Sequence, residues 1–111
     1  MNKSEMKKFC EWAIQDPYLS KFICRNDKYF VHFRSPIDIF LEIYKYNYTC
    51  ETYPLARKDE WPNYYSNDPD NMMEKLSLED AKKYVVELSK YGIIRENEEK
   101  KAKILKNLND L

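Results

Sequence analysis

Hydrophobic residues recur along this chain with two different periods, and the changes of period divide it into elements. Between residues 3 and 15, Met6, Phe9, Cys10 and Ala13 fall at i, i+3, i+4 and i+7, the spacing of one helical face. Asn2 or Ser4 can cap this helix, and Asp16-Pro17 ends it, because the residue before a proline is pushed out of helical backbone angles. Trp12 lies at the edge of the stripe and reads as a packing residue.

A hairpin follows. Phe22-Ile23-Cys24 and Tyr29-Phe30-Val31-His32-Phe33 are β-prone runs on either side of Arg25-Asn26-Asp27-Lys28, where Asn and Asp tolerate a tight turn. In the second strand Tyr29, Val31 and Phe33 share one face, and Phe30, His32 and Arg34 share the other.

Residues 35–47 carry both periods. Ile37, Phe40, Leu41 and Tyr44 fit a helix opened by Ser35-Pro36-Ile37-Asp38, with a cap residue, a first-turn proline and a first-turn acid. Ile37, Ile39, Leu41 and Ile43 also alternate as a strand would. Phe40 and Tyr44 would then occupy that strand's polar face, so a helix is the expectation. Residues 48–55 return to strand, dominated by Tyr, Thr and Cys and ended by Pro54. More than half of the stretch 28–53 is apolar or aromatic, so both ends of the chain are expected to pack on it.

Residues 56–76 lack a period and contain Pro62 and Pro69; a short helix can start at Asp68-Pro69 and run to Leu76. The remainder reads as an exposed loop, of a length that usually serves a function or moves. Ser77-Leu78-Glu79-Asp80 then resembles a capping box with Asp for Glu, and Ala81, Tyr84, Val85, Leu88 and Tyr91 form a helical stripe. Gly92, the single glycine, stands where a left-handed C-terminal cap is expected. A last helix should follow Ile93-Ile94, with Glu96–Lys100 and Glu99–Lys103 pairs outside and Ala102, Leu105 and Leu108 facing inward.

These elements predict one compact α+β domain over residues 1–111, a small antiparallel sheet of two to four strands packed with three to five helices. At 111 residues and 43% hydrophobic content the chain can bury a single core. One glycine in 111 argues against a loop-rich barrel or a phosphate-cradling loop.

Nineteen basic and nineteen acidic residues cancel, so no general attraction to nucleic acid or anionic membrane is expected. The charges are nonetheless segregated. Residues 1–34 hold seven basic and four acidic side chains and residues 81–111 hold eight and five, whereas residues 35–80 hold four and ten. The three cysteines, Cys10, Cys24 and Cys50, show no metal-ligand spacing and read as reduced thiols of a cytoplasmic protein. Residues 1–8 have no apolar stretch after their charges, and no run approaches eighteen apolar residues, so neither a secretory leader nor a membrane span is expected. Phe, Tyr, Met, Ile, Asn and Lys total 51 residues against 14 for Gly, Ala, Arg and Pro, the skew of A/T-rich codons in a low-GC bacterium or its phage.

Candidate chemistry is sparse. His32 is the one histidine, and nothing in the sequence makes it meet a cysteine. Asp68, Asp70 and Glu74 lack the central glycine of a calcium loop and read as an acidic helix start. No catalytic residue, metal or cofactor is therefore assigned. Two helices meeting at Gly92 could form a helix-turn-helix, but Glu96, Glu98 and Glu99 would meet phosphate repulsion.

The remaining signal is Trp61-Pro62-Asn63-Tyr64-Tyr65 among acids. Rigid aromatic anchors dominate protein–protein hot spots, and surrounding carboxylates steer a basic partner. The expected binding residues are Asp59, Glu60, Trp61, Tyr64, Tyr65, Asp68, Asp70 and Glu74. The expected function is a small non-catalytic protein-binding module, of the kind a phage uses to inhibit a bacterial defence or nuclease complex, as anti-CRISPR proteins do. Its partner would be a basic or nucleic-acid-binding protein. The alternatives are a nucleic-acid-binding regulator using the basic ends, a toxin-neutralising immunity protein, and a small-molecule binder with a tyrosine-lined pocket.

Overall fold

The computed structural model describes residues 1–53 and 72–110, and these form an α+β fold. Helix α1 (Lys3–Gln15) is followed by a 3-10 turn (Leu19–Phe22). Four strands come next, β1 (Ile23–Asn26), β2 (Phe30–Arg34), β3 (Ile39–Tyr44) and β4 (Thr49–Thr52). The short α2 (Met72–Lys75) and the long α3 (Leu78–Asn109) complete the order.

Asn2 and Glu5 close a reciprocal capping box at the start of α1. The stripe Met6, Phe9, Cys10 and Ala13 is buried as its spacing predicts. Trp12 is half-buried and packs at 5.8 Å from the Phe9 ring. Phe22 belongs to the 3-10 turn rather than to the strand after it, and its ring meets Phe40 edge to face at 5.5 Å.

The sheet is an antiparallel meander in the order β1-β2-β3-β4. Asp27 sets the first turn: its Oδ1 accepts from the backbone N–H groups of Tyr29 and Phe30 at 2.8 and 2.9 Å. Its Oδ2 takes Arg25 Nε at 2.6 Å. The inner face presents Val31, Phe33, Phe40, Leu41 and Ile43. These pack with Phe9, Cys10 and Ala13 of α1 and Tyr84, Val85 and Leu88 of α3 in one continuous core.

Residues 35–47 do not form a helix; β3 runs through them. The reason is a bulge. Phe33 pairs with Leu41 but Arg34 pairs with Ile39, which leaves Phe40 as the extra residue and turns it inward beside Leu41. Glu42 and Tyr44 then face outward, and the conflict between Phe40 and a polar face disappears. Ser35-Pro36-Ile37-Asp38 closes the β2–β3 turn instead of capping a helix. Ser35 Oγ donates to the Asp38 carbonyl at 2.9 Å and accepts from the backbone of Ile37 and Asp38.

Gly92 lies inside a helix rather than at the end of one. It caps nothing: α3 passes through it without a break for 32 residues, with Gly92 buried in helical conformation. A mid-helix glycine costs about 1 kcal/mol relative to alanine, which the flanking run of Glu, Lys, Ala and Leu outweighs. The helix-turn-helix geometry is therefore absent at Gly92. Leu105 and Leu108 do not face inward, since both are about 60% exposed (61% and 59%), and Ala102 is exposed too.

Candidate protein-interaction face

Alternation along each strand sends one set of side chains into the core and the other to the open side of the sheet. On the outer face the pairing aligns Arg25, His32, Glu42 and Glu51 in one row across all four strands. Phe30, Tyr44 and Thr49 align in the next. The helices that complete the core lie on the inner face, so these residues remain partly or fully exposed.

The hairpin end of this face is aromatic. The Phe30 ring lies 5.7 Å from Tyr44, 6.3 Å from Tyr46, 6.3 Å from Tyr29 and 6.1 Å from His32, and Tyr44 lies 6.0 Å from Tyr46. Most of these contacts are edge-to-face or tilted, which aromatic quadrupoles favour. The Arg25 guanidinium sits 4.9 Å above the Phe30 ring. Tyr29 and Tyr46 keep 52% and 66% of their surface exposed. Apolar area so open to water is available to a second molecule.

Beside the rings stand two carboxylates. Glu42 and Glu51 are direct register partners on β3 and β4. Tyr44 donates its hydroxyl to Glu42 Oε2 at 3.1 Å, and Tyr53 donates to Glu51 Oε2 at 2.9 Å. Partial burial, and the charge of the carboxylate each serves, push both tyrosine hydroxyls above their ordinary pKa, so they remain donors. Asp38, Ile39, Glu42 and Tyr53 line a shallow cleft of about 270 Å³ at the far end of the face. The surface thus passes from rings at one end to negative charge at the other.

The structure places few of the residues expected from sequence to bind a partner. Asp59, Glu60, Trp61, Tyr64, Tyr65, Asp68 and Asp70 lie outside the described residues. Glu74 is exposed in α2, where its backbone carbonyl accepts from the Met1 amino group at 2.5 Å. Sequence reasoning overlooked the sheet face. The signals for it were the period-2 tyrosines Tyr44 and Tyr46, and Phe30 with His32 on the polar side of β2; Tyr48, which continues that period, instead sits under Lys7 of α1.

Neither a Cys/His pair nor a metal centre is assembled among the described residues. Cys24 Sγ approaches the His32 backbone carbonyl at 3.5 Å, not its imidazole. No group of three or more potential ligands is gathered there. No described helix is long and apolar enough to cross a membrane. No family model, curated protein or solved structure matches the chain.

Proposed function

We propose that this protein is a non-catalytic protein-binding module that docks a basic partner on the outer face of its sheet. The observation carrying this reading is the adjacency, on one open surface, of five linked rings and an opposed pair of carboxylates. Aromatic side chains supply buriable area at low entropic cost, and nearby carboxylates favour Lys and Arg on the incoming surface. Basic proteins that handle nucleic acid are partners of this chemistry. An inhibitor of a bacterial nuclease complex is the setting that the size and composition favour.

Affinity capture from a low-GC bacterial lysate, with and without nuclease, tests the reading when three baits are run together: wild type, Tyr46→Ala, and Glu42→Gln with Glu51→Gln. Capture of a basic protein by wild type, insensitive to nuclease and weakened in both folded variants, is the expected result. Equal capture by all three baits would overturn the assignment of the face.

A second reading, a nucleic-acid-binding regulator, draws on the groove between α1 and α3. There Lys82, Lys83 and Lys90, with one carboxylate, Glu87, among them, surround Trp12 and Val86, and the Lys82 ammonium lies 5.2 Å over the indole. Capture that nuclease abolishes, together with salt-dependent binding of duplex DNA that Lys83→Glu weakens, would favour it.

A further inference from the structure

Where helices α1 and α3 pack together they leave an open groove of about 340 Å³, lined by Trp12, Lys82, Lys83, Val86, Glu87 and Lys90. Its centre is apolar. Trp12 and Val86 are half-buried there, and the indole packs 5.8 Å from the Phe9 ring. The Tyr18 and Ser89 hydroxyls share a hydrogen bond of 2.9 Å, which ties the chain just after α1 to α3 and holds the two walls together. The rim is cationic. Lys83 and Lys90 are exposed, and the Lys82 ammonium lies 5.2 Å over the indole. Among the described residues none of the three lysines is ion-paired, so three cations stand against one carboxylate, Glu87.

An aromatic anchor inside a polar rim is the anatomy of a protein-binding hot spot, and the sign of the rim selects the partner. Nucleic acid fits the groove less well. A phosphate backbone is held by cations and N–H donors, whereas the centre of this lining is indole and valine, and Glu87 would repel phosphate. The spacing of the cations adds a shape. Lys83 and Lys90 are seven residues apart, about 10 Å along the axis at ~1.5 Å per residue, with Val86 between them. Two carboxylates at the same spacing on another helix match that separation, and an apolar residue between them meets Trp12 and Val86. We propose that the α1–α3 groove docks an acidic amphipathic helix of a protein partner, its apolar side chain seated on Trp12 and Val86 and its carboxylates on Lys83 and Lys90. This surface is separate from the outer face of the sheet, and the proposal does not rest on the partner assigned there.

A synthetic helix built on the repeat Glu-Ala-Ala-Leu-Ala-Ala-Ala tests this, titrated into the full chain. In a Trp61→Phe background the remaining tryptophan, Trp12, reports the groove by its emission. The peptide should shift that emission saturably, and less tightly as salt rises. Lys83→Glu with Lys90→Glu should weaken binding more than about tenfold and leave thermal unfolding unchanged, because both side chains are exposed. Replacing leucine by serine in the peptide should weaken binding as strongly, and Tyr46→Ala, on the sheet face, should leave it unaltered. A peptide that leaves the Trp12 emission unchanged overturns the proposal. So does binding indifferent to the lysine reversal or to the loss of leucine, or sensitive to Tyr46→Ala. Duplex DNA that shifts the emission at lower concentration than the peptide would assign the groove to nucleic acid instead. Self-association of the protein alone, abolished by the lysine reversal, would assign it to a second copy, and either result also overturns the proposal.

Discussion

Glu42 and Glu51 face each other across β3 and β4, and each is held by the hydroxyl of the tyrosine two residues further along the chain, Tyr44 at the end of β3 and Tyr53 just past β4. Like charges directly opposite in a sheet are destabilising, by roughly 0.2–1 kcal/mol in cross-strand comparisons. The tyrosine hydrogen bonds offset that cost without removing it. Glu51→Gln should therefore raise stability by a few tenths of a kcal/mol up to about 1 kcal/mol. The same substitution should weaken capture of the basic partner. Urea unfolding measured beside binding checks both directions. A less stable Glu51→Gln would mean that the carboxylate serves the sheet rather than a partner.

Leu88 and Leu105 stand on one helix in opposite situations. Leu88 is 2% exposed within the core, and Leu105 is 61% exposed on the projecting C-terminal arm of α3. Leu88→Ala should cost about 2–5 kcal/mol, the range for truncating a buried leucine. Leu105→Ala should stay within about 0.5 kcal/mol. Chemical denaturation of the two variants side by side measures the difference. Similar losses would show that the arm packs on the body.

The contrast between these leucines also marks where the sequence was legible. Helix α1, the first hairpin and the stripe through Leu88 rest on local periodicity and caps, which a single chain displays openly. Strand β3 was hidden by one extra residue, Phe40, whose bulge breaks the alternation that defines a strand. Ser35 and Pro36 added to the confusion, because the residue types that cap helices also close turns. The course of α3 past Gly92 is a sum of small propensities against one unfavourable residue, and no single position reveals the sign of that sum. The binding face was illegible for another reason. Phe30, His32, Tyr44 and Glu51 come from three strands, and register brings them together. The residues first expected to bind, around Trp61, are a local cluster, which is the kind a sequence can show.

Asp27 gives the first hairpin a pH dependence. Two backbone N–H groups, chiefly that of Phe30, and the Arg25 side chain favour its ionised form and lower its pKa from 3.8 to about 2. A carboxylate whose pKa falls on folding contributes stability above its unfolded value. That contribution fades as pH drops from about 4 through about 2. Asp27→Asn should therefore be less stable than wild type at neutral pH, and the gap should close between about pH 4 and about pH 2. Asparagine can still accept from the turn, so the closing of the gap is the diagnostic feature. A gap that stays constant down to pH 2 would assign the loss to turn geometry alone.

The three cysteines should separate by reactivity, because the thiolate rather than the thiol attacks a disulfide reagent. Cys24 is exposed at the bulge of β1. Cys10 is fully buried, with its Sγ 3.9 Å from the Thr49 carbonyl. Cys50, on the inner side of β4, contacts Met6 Sδ at 3.5 Å. Hydrogen bonding to Cys10, and after it burial, push the Cys50 thiol well above its ordinary pKa. Under native conditions at neutral pH, an aromatic disulfide reagent should titrate one thiol quickly and two slowly, and three after denaturation. Cys24→Ser should abolish the fast phase, while Cys50→Ser should leave it intact. Two fast thiols in the native protein would show that β4 opens readily at the sheet edge, exposing Cys50. One thiol in the denatured, unreduced protein would instead reveal a Cys10–Cys50 disulfide and overturn the description of these residues as free.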